Sequence, residues 1–136
     1  MRKILVFLLF FMLFSTSFAE EEKTEAEDDT VYETAYFKIE PDIVSNVKGK
    51  AKYIRTSIQL QTNRADLLYE IETHAAYIRH ILLMNIVDQD GGSIKQNDGK
   101  ESLRKELLSA VSSGLDEKAE HKGIITDLFF TTYYVK

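Results

Sequence analysis

The residues of this chain that could carry chemistry are three histidines, a pair of spaced aspartates before a glycine, and a cluster of aromatics near the C-terminus. His74 and His80 lie six positions apart, which on a helix turns them roughly 240° from each other, so one helix cannot offer both to a single metal. Neither stands in a His-Glu-x-x-His arrangement, and His121 falls among Lys118, Glu120 and Lys122 in a polar stretch. All three read as surface or half-buried histidines. Asp88-x-Asp90-Gly91 opens like a calcium loop, but the fifth position from Asp88 is Gly92 and the sixth is Ser93. The twelfth is Gly99, where a bidentate Glu is required, and turn chemistry accounts for the same residues. There is no Gly-x-Ser-x-Gly elbow, phosphate-cradling loop or dinucleotide fingerprint. No carboxylate stands among apolar neighbours in a way that would raise its pKa. Phe129, Phe130, Tyr133 and Tyr134 at strand spacing read as core packing, with an interface role for the tyrosines as the minor reading. The chain has no cysteine, which removes disulfides, thiolate zinc sites and a cysteine nucleophile together. These residues therefore assign no catalytic, cofactor-binding or metal site, and the expectation is a protein that is not an enzyme.

The elements that would position these residues follow from hydrophobic period. Val31 to Asn46 is rich in β-formers and is broken once, by the only proline, Pro41, which predicts a strand, an interruption and a short extended continuation. Lys52 to Thr62 alternates, with Ile54, Thr56, Ile58 and Leu60 on one side and Tyr53, Arg55, Ser57 and Gln59 on the other, a half-buried strand reached through a turn at Gly49. The period then changes. Leu67, Ile71, Ala75, Ile78, Leu82 and Ile86 recur in steps of three and four, which predicts one helix from about Arg64 to Val87. Asn63 would cap it, with Asp66 reaching back, and Asp88 to Gly92 would end it. A second helix opens at Asp98, with Glu101 reciprocating the cap and Leu103, Leu107, Leu108, Val111 and Leu115 as its apolar face. A polar stretch from Asp116 to Gly123 leads into Ile124 to Val135, whose β-branched and aromatic residues on both faces predict a central strand. The sum is an α+β domain, a small and mostly antiparallel sheet with two helices packed on it.

Ahead of that domain, Arg2 and Lys3 precede an apolar run from Ile4 to Phe14, followed by Ser15 to Ala19. This is the layout of a secretory signal cut between Ala19 and Glu20, or of a short membrane anchor, since Ile4 to Ala19 falls short of the roughly 20 apolar residues of a spanning helix. The tract Glu20 to Asp29 has seven acids against one lysine, a net charge of −6 within a chain of net charge −5, and reads as a solvated linker over 20–30. Residues 31–136 form the domain, whose near-neutral balance gives no basic footprint for nucleic acid.

Four local sequences in order resemble the FliL family of flagellar basal-body proteins. Tyr36-Phe37-Lys38-Ile39-Glu40-Pro41-Asp42-Ile43-Val44-Ser45-Asn46 looks like the family's opening strand, and Ile78-Arg79-His80-Ile81-Leu82-Leu83 like its Ile-Arg helix segment. Gly99-Lys100-Glu101-Ser102-Leu103-Arg104-Lys105-Glu106-Leu107-Leu108 is similar to its Gly-x-Glu-x-Leu-Arg-x-Glu-Leu stretch, and Leu128 to Lys136 to its C-terminal strand. The resemblance implies a periplasmic domain similar to stomatin-type domains, on the outer side of the inner membrane. It implies a homo-oligomeric ring around the flagellar stator that supports torque generation and motility, with no catalysis and no cofactor. A periplasmic adaptor or ligand-binding module of the same fold, not dedicated to the flagellum, is the alternative.

Overall fold

A computed structural model describes residues 32–136, so the leader, the acidic tract and Val31 lie outside the described residues. Three strands, β1 (Ala35–Asn46), β2 (Tyr53–Thr62) and β3 (Asp127–Val135), form an antiparallel sheet in the order β1-β2-β3. Between β2 and β3 run a 3₁₀ turn (Ala65–Leu67) and four helices: α1 (Leu68–Thr73), α2 (Ala75–Val87), α3 (Gly91–Ile94) and α4 (Asn97–Lys118). The α+β class stands. The helical layer has more pieces than the two helices expected.

The alternation in β2 sets the layering. Ile54, Thr56, Ile58, Leu60 and Thr62 point to the helices and are buried, while Arg55 is exposed and Tyr53, Gln59 and Gln61 are half-buried on the other face. Ile39 and Ile43 of β1 and Leu128 and Val135 of β3 join the same core. The stripe predicted for the first helix meets it, with Leu67, Ile71, Ile78, Leu82 and Ile86 all buried, and α4 adds Leu103, Leu107, Val111 and Leu115.

Three sequence expectations are corrected and a fourth is narrowed. The central strand is β2, and β3 lies at an edge; the aromatic run looks buried on both faces only because its outward face carries Phe129 and Tyr134, both exposed. The long first helix is broken at His74, whose ψ of 11° leaves the α region, although His74 N–H still donates to the Glu70 carbonyl and Ile78 N–H to the His74 carbonyl. The Asn63–Asp66 capping box does not form. The Thr62 hydroxyl instead accepts from the Arg64 N–H at 3.0 Å, and Asp66 pairs with the Arg64 guanidinium at 2.7 Å. Finally, β1 runs through Pro41 as one strand, and the interruption expected there is confined to its pairing with β2, whose register shifts between Ile39 and Ile43.

The end of the sheet formed by the β1–β2 turn is tightly packed against α3 and the start of α4. A Cβ on Gly99 would stand 2.0 Å from the Ser93 carbonyl oxygen and 2.6 Å from its carbon, both backbone atoms that cannot yield. Gly99→Ala is therefore expected to lower unfolding free energy by about 1–3 kcal/mol, read as a shift of the urea midpoint; an unchanged midpoint would contradict this packing.

Candidate functional site

None of the three histidines shares a site with another. His80 is exposed on α2, and His74 sits half-buried at the helix break with its Nδ1 unpartnered. His121 does have a partner, and sequence reasoning missed it. Glu70 of α1 has a side chain only 4 % exposed, and its carboxylate accepts from the His121 ring Nδ1 and from the backbone N–H groups of Glu120, at 2.9 Å, and His121. The carboxylate acts as an acceptor here, so Nδ1 carries the proton. Burial pushes the Glu70 carboxyl up, but the hydrogen bonds from His121 and from the two N–H groups outweigh it, and its pKa falls below the ordinary 4.5. The arrangement ties α1 to the segment after α4. It is a lock holding two elements together.

A depressed folded-state pKa adds stability that is present above the unfolded value and disappears as pH falls through the folded one. Glu70→Gln is thus expected to lower the Tm at pH 7 and to flatten the loss of Tm below about pH 4.5 relative to the parent protein. Parallel Tm-versus-pH curves would show that Glu70 does not carry this acid sensitivity.

The residues that resembled a calcium loop are consumed by structure. Asp88 pairs with Lys48 at 2.7 Å, and Asp90 caps α3, its Oδ2 accepting from the Ser93 N–H at 2.8 Å and the Ser93 hydroxyl at 2.9 Å. Those two hydrogen bonds from Ser93 hold the Asp90 carboxyl below its usual range. Among the described residues no group of three His, Asp or Glu is placed to hold a metal ion.

Two arginines join helices to the sheet. Arg79 of α2 donates to the Pro41 carbonyl and, at 3.3 Å, to the Asp42 carbonyl, satisfying backbone groups where β1 shifts register. Asp42 turns its carboxylate back over the sheet, accepting from the Ser57 hydroxyl at 2.6 Å and from Arg55 at 3.3 Å, which together hold it below the usual carboxylate range. Arg104 of α4 pairs with Glu101 at 2.8 Å and with Asp127 at the start of β3, and donates to the Leu128 carbonyl at 3.3 Å. Toward the other end of β3, the Tyr133 hydroxyl donates to the Ile94 carbonyl at 2.6 Å, and burial raises this phenol to about 12.

The aromatic cluster divides between the faces of β3. Phe130 and Tyr133 turn inward with ring centroids 4.9 Å apart, as the core reading expects. Phe129 and Tyr134 turn outward, where Tyr36 meets Phe129 at 6.4 Å and Tyr53 meets Tyr134 at 6.1 Å across the uncovered face. Val44, 58 % exposed, extends that face along β1. Open hollows of about 500, 370 and 340 Å³ lie at the domain's margins, the largest between Tyr32, Asn63, Arg64 and Lys122. What the arrangement offers chemically is surface for another macromolecule, with aromatic rings that bind at little conformational cost. Among the described residues no helix is long and apolar enough to cross a membrane.

Comparison with known proteins fits this geometry. The family model described as flagellar basal body-associated protein FliL matches residues 36–135. A protein named flagellar protein FliL from Aquifex aeolicus is 24% identical over 102 residues, covering 74% of this chain and 60% of that protein. Another of the same name from Bacillus subtilis is 27% identical over 107 residues, covering 79% of this chain and 76% of that protein. The chain thus spans less than two thirds of the Aquifex relative's length. The segments that carried the resemblance also acquire a physical role. Arg79, Arg104 and Gly99 sit in them: the two arginines tie elements far apart in sequence, and Gly99 lets the start of α4 approach the Ser93 backbone of α3.

Proposed function

The chain belongs to the FliL family of flagellar basal body-associated proteins, and from that premise we propose that it is a non-catalytic accessory of the flagellar motor. In this reading it associates with the stator and other basal-body proteins on the periplasmic side of the inner membrane, reached through the leader over 1–19, and supports torque generation and motility. It works there as a homo-oligomer, a ring of domains similar to stomatin-type domains. The family match over 36–135 carries the reading. The chemistry is consistent with it, because Arg79, Arg104 and Tyr133 fasten helices to the sheet and the exposed aromatics offer contact area.

The test is genetic. Deleting the gene is expected to reduce swimming, and to reduce swarming and swimming in viscous medium more strongly, with recovery when the intact chain is supplied in trans. Unchanged motility under load would overturn the reading.

A further inference from the structure

Of the sheet's two edges, one is guarded and one is open. On β1, Pro41 has no N–H to offer, and Arg79 holds the Pro41 and Asp42 carbonyls. β3 has no proline and pairs only with β2 among the described residues. Which of its backbone groups face outward follows from the ladder. Lys136 exchanges hydrogen bonds with Tyr53, each N–H donating to the other's carbonyl at 3.0 Å. By alternation Tyr134 and Thr132 also bond to β2, while Tyr133 and Val135 turn their groups to the open edge. Beyond the register shift at Thr131, the Leu128 N–H donates to the Asp127 carboxylate at 2.8 Å and its carbonyl accepts from Arg104 at 3.3 Å. Those bonds mark Leu128, and with it Phe130, as outward-facing. The outward N–H and carbonyl groups of Phe130, Tyr133 and Val135 meet no partner among the described residues.

We propose that the open edge of β3 pairs antiparallel with β3 of a second copy of the chain, joining the two sheets into one across a two-fold axis between Thr131 and Thr132. The strand is complementary to itself. A two-fold contact sets residue i against j and j against i, and placing Phe130 opposite the partner's Tyr133 brings outward backbone groups against outward groups. In a regular strand residues three apart face opposite ways, so it is the extra residue at Thr131 that lets both turn to the edge. The same register engages the outward groups on both sides of the shift. Its side chains match as well. Phe129 falls opposite the partner's Tyr134 on the uncovered face, where both rings are exposed. Asp127 falls opposite Lys136, an exposed lysine in none of the ion pairs of the described residues. Thr131 and Thr132, both exposed, meet at the axis. Aromatic pairs, opposite charges and facing threonines are the cross-strand pairs that stabilise antiparallel sheets. The helix side of the edge carries both signs, Lys95 and Lys100 with Asp98, and Arg104 and Lys105 with Glu101 and Asp127, so no uniform charge opposes the approach.

The contact goes beyond the ring and the motor role proposed above: it closes at two chains, and a ring would join such pairs through another surface. The chain has no cysteine, so introduced cysteines report the register. Two differently tagged full-length chains, one with Phe129→Cys and the other with Tyr134→Cys, are mixed and oxidised. Both positions bond to their own β2, so across the axis they form the closer kind of antiparallel pair, with Cα atoms about 4.5 Å apart and within disulfide reach. The yield of linked chains is expected to be at least about fivefold higher than with two Phe129→Cys chains, whose cysteines would stand roughly 17 Å apart. Thr131→Lys together with Thr132→Lys in both chains sets like charges opposite each other at the axis and is expected to lower the yield about fivefold or more. Thr131→Glu together with Thr132→Lys sets opposite charges there and is expected to restore it. Circular dichroism melts check that both variants remain folded. Equal yields from the two cysteine mixtures, or a yield indifferent to the charges at 131 and 132, would overturn the contact; self-association that persisted without this register would leave the homo-oligomer of the reading above to another surface.

Discussion

Removing residues 127–136 is expected to abolish cooperative folding of the domain. β3 supplies one of the two ladders that hold β2, from Ile54 against Val135 to Gln61 against Asp127. It also contributes Leu128 and Val135 to the core, with Phe130 and Tyr133 packed against it. Burying a large aliphatic side chain is worth about 1.5–3 kcal/mol, so the two aliphatics and two half-buried rings together approach or exceed about 5 kcal/mol. Total stabilities of such domains run from about 5 to 15 kcal/mol, which leaves little to hold the remainder. The truncated chain would also lose the Arg104 contacts to Asp127 and the Leu128 carbonyl and the Tyr133 hydrogen bond to the Ile94 carbonyl, three ties between helix and sheet. Far-UV circular dichroism and urea unfolding decide the matter. A sigmoidal transition with a slope like that of the parent chain would show that β1, β2 and the helices fold without it.

The two periods in the sequence were enough to recover the class and most of the core. Ile54, Ile58 and Leu60 announce a strand by alternation, and Leu67, Ile71, Ile78, Leu82 and Ile86 announce a helical stripe by their steps, because burial on one face imposes both patterns directly. What stayed hidden depends on partners distant in the chain. Glu70 falls at a stripe position, three residues after Leu67 and four before His74, yet it reads as an exposed acid until His121, fifty-one positions on, is brought to it. The break at His74 carries no glycine or proline to mark it. The exposed rings of Phe129 and Tyr134 made an edge strand look central, since hydrophobicity does not distinguish a covered face from an uncovered one. For the candidate surface the same limit applies: rings were visible as a cluster, but their division between core and open face required the register of β2 against β3.

Ile58→Ala is expected to lower the unfolding free energy by about 2–5 kcal/mol, whereas Gln59→Ala, one residue away, is expected to change it by no more than about 0.5 kcal/mol. Ile58 is 1 % exposed and stands between Ile39 of β1 and Phe130 of β3. Both ladders shift register beside it, after Ile39 on one side and between Ser57 and Ile58 on the other. At this point the sheet relies on side-chain packing where backbone pairing is interrupted, so the cavity left by Ala has few ways to collapse. Gln59 points to the face that no helix covers, beside Lys38 and Phe129. Urea midpoints at constant slope would give both values, and Ile58→Val should fall between them, at about 0.5–1.5 kcal/mol. Equal losses for Ile58→Ala and Gln59→Ala in the isolated protein would mean that both faces of β2 are covered. A large difference has a functional consequence, because side chains on the open face can then be exchanged without unfolding the domain. A motility defect caused by such an exchange would report a lost contact and not a lost fold.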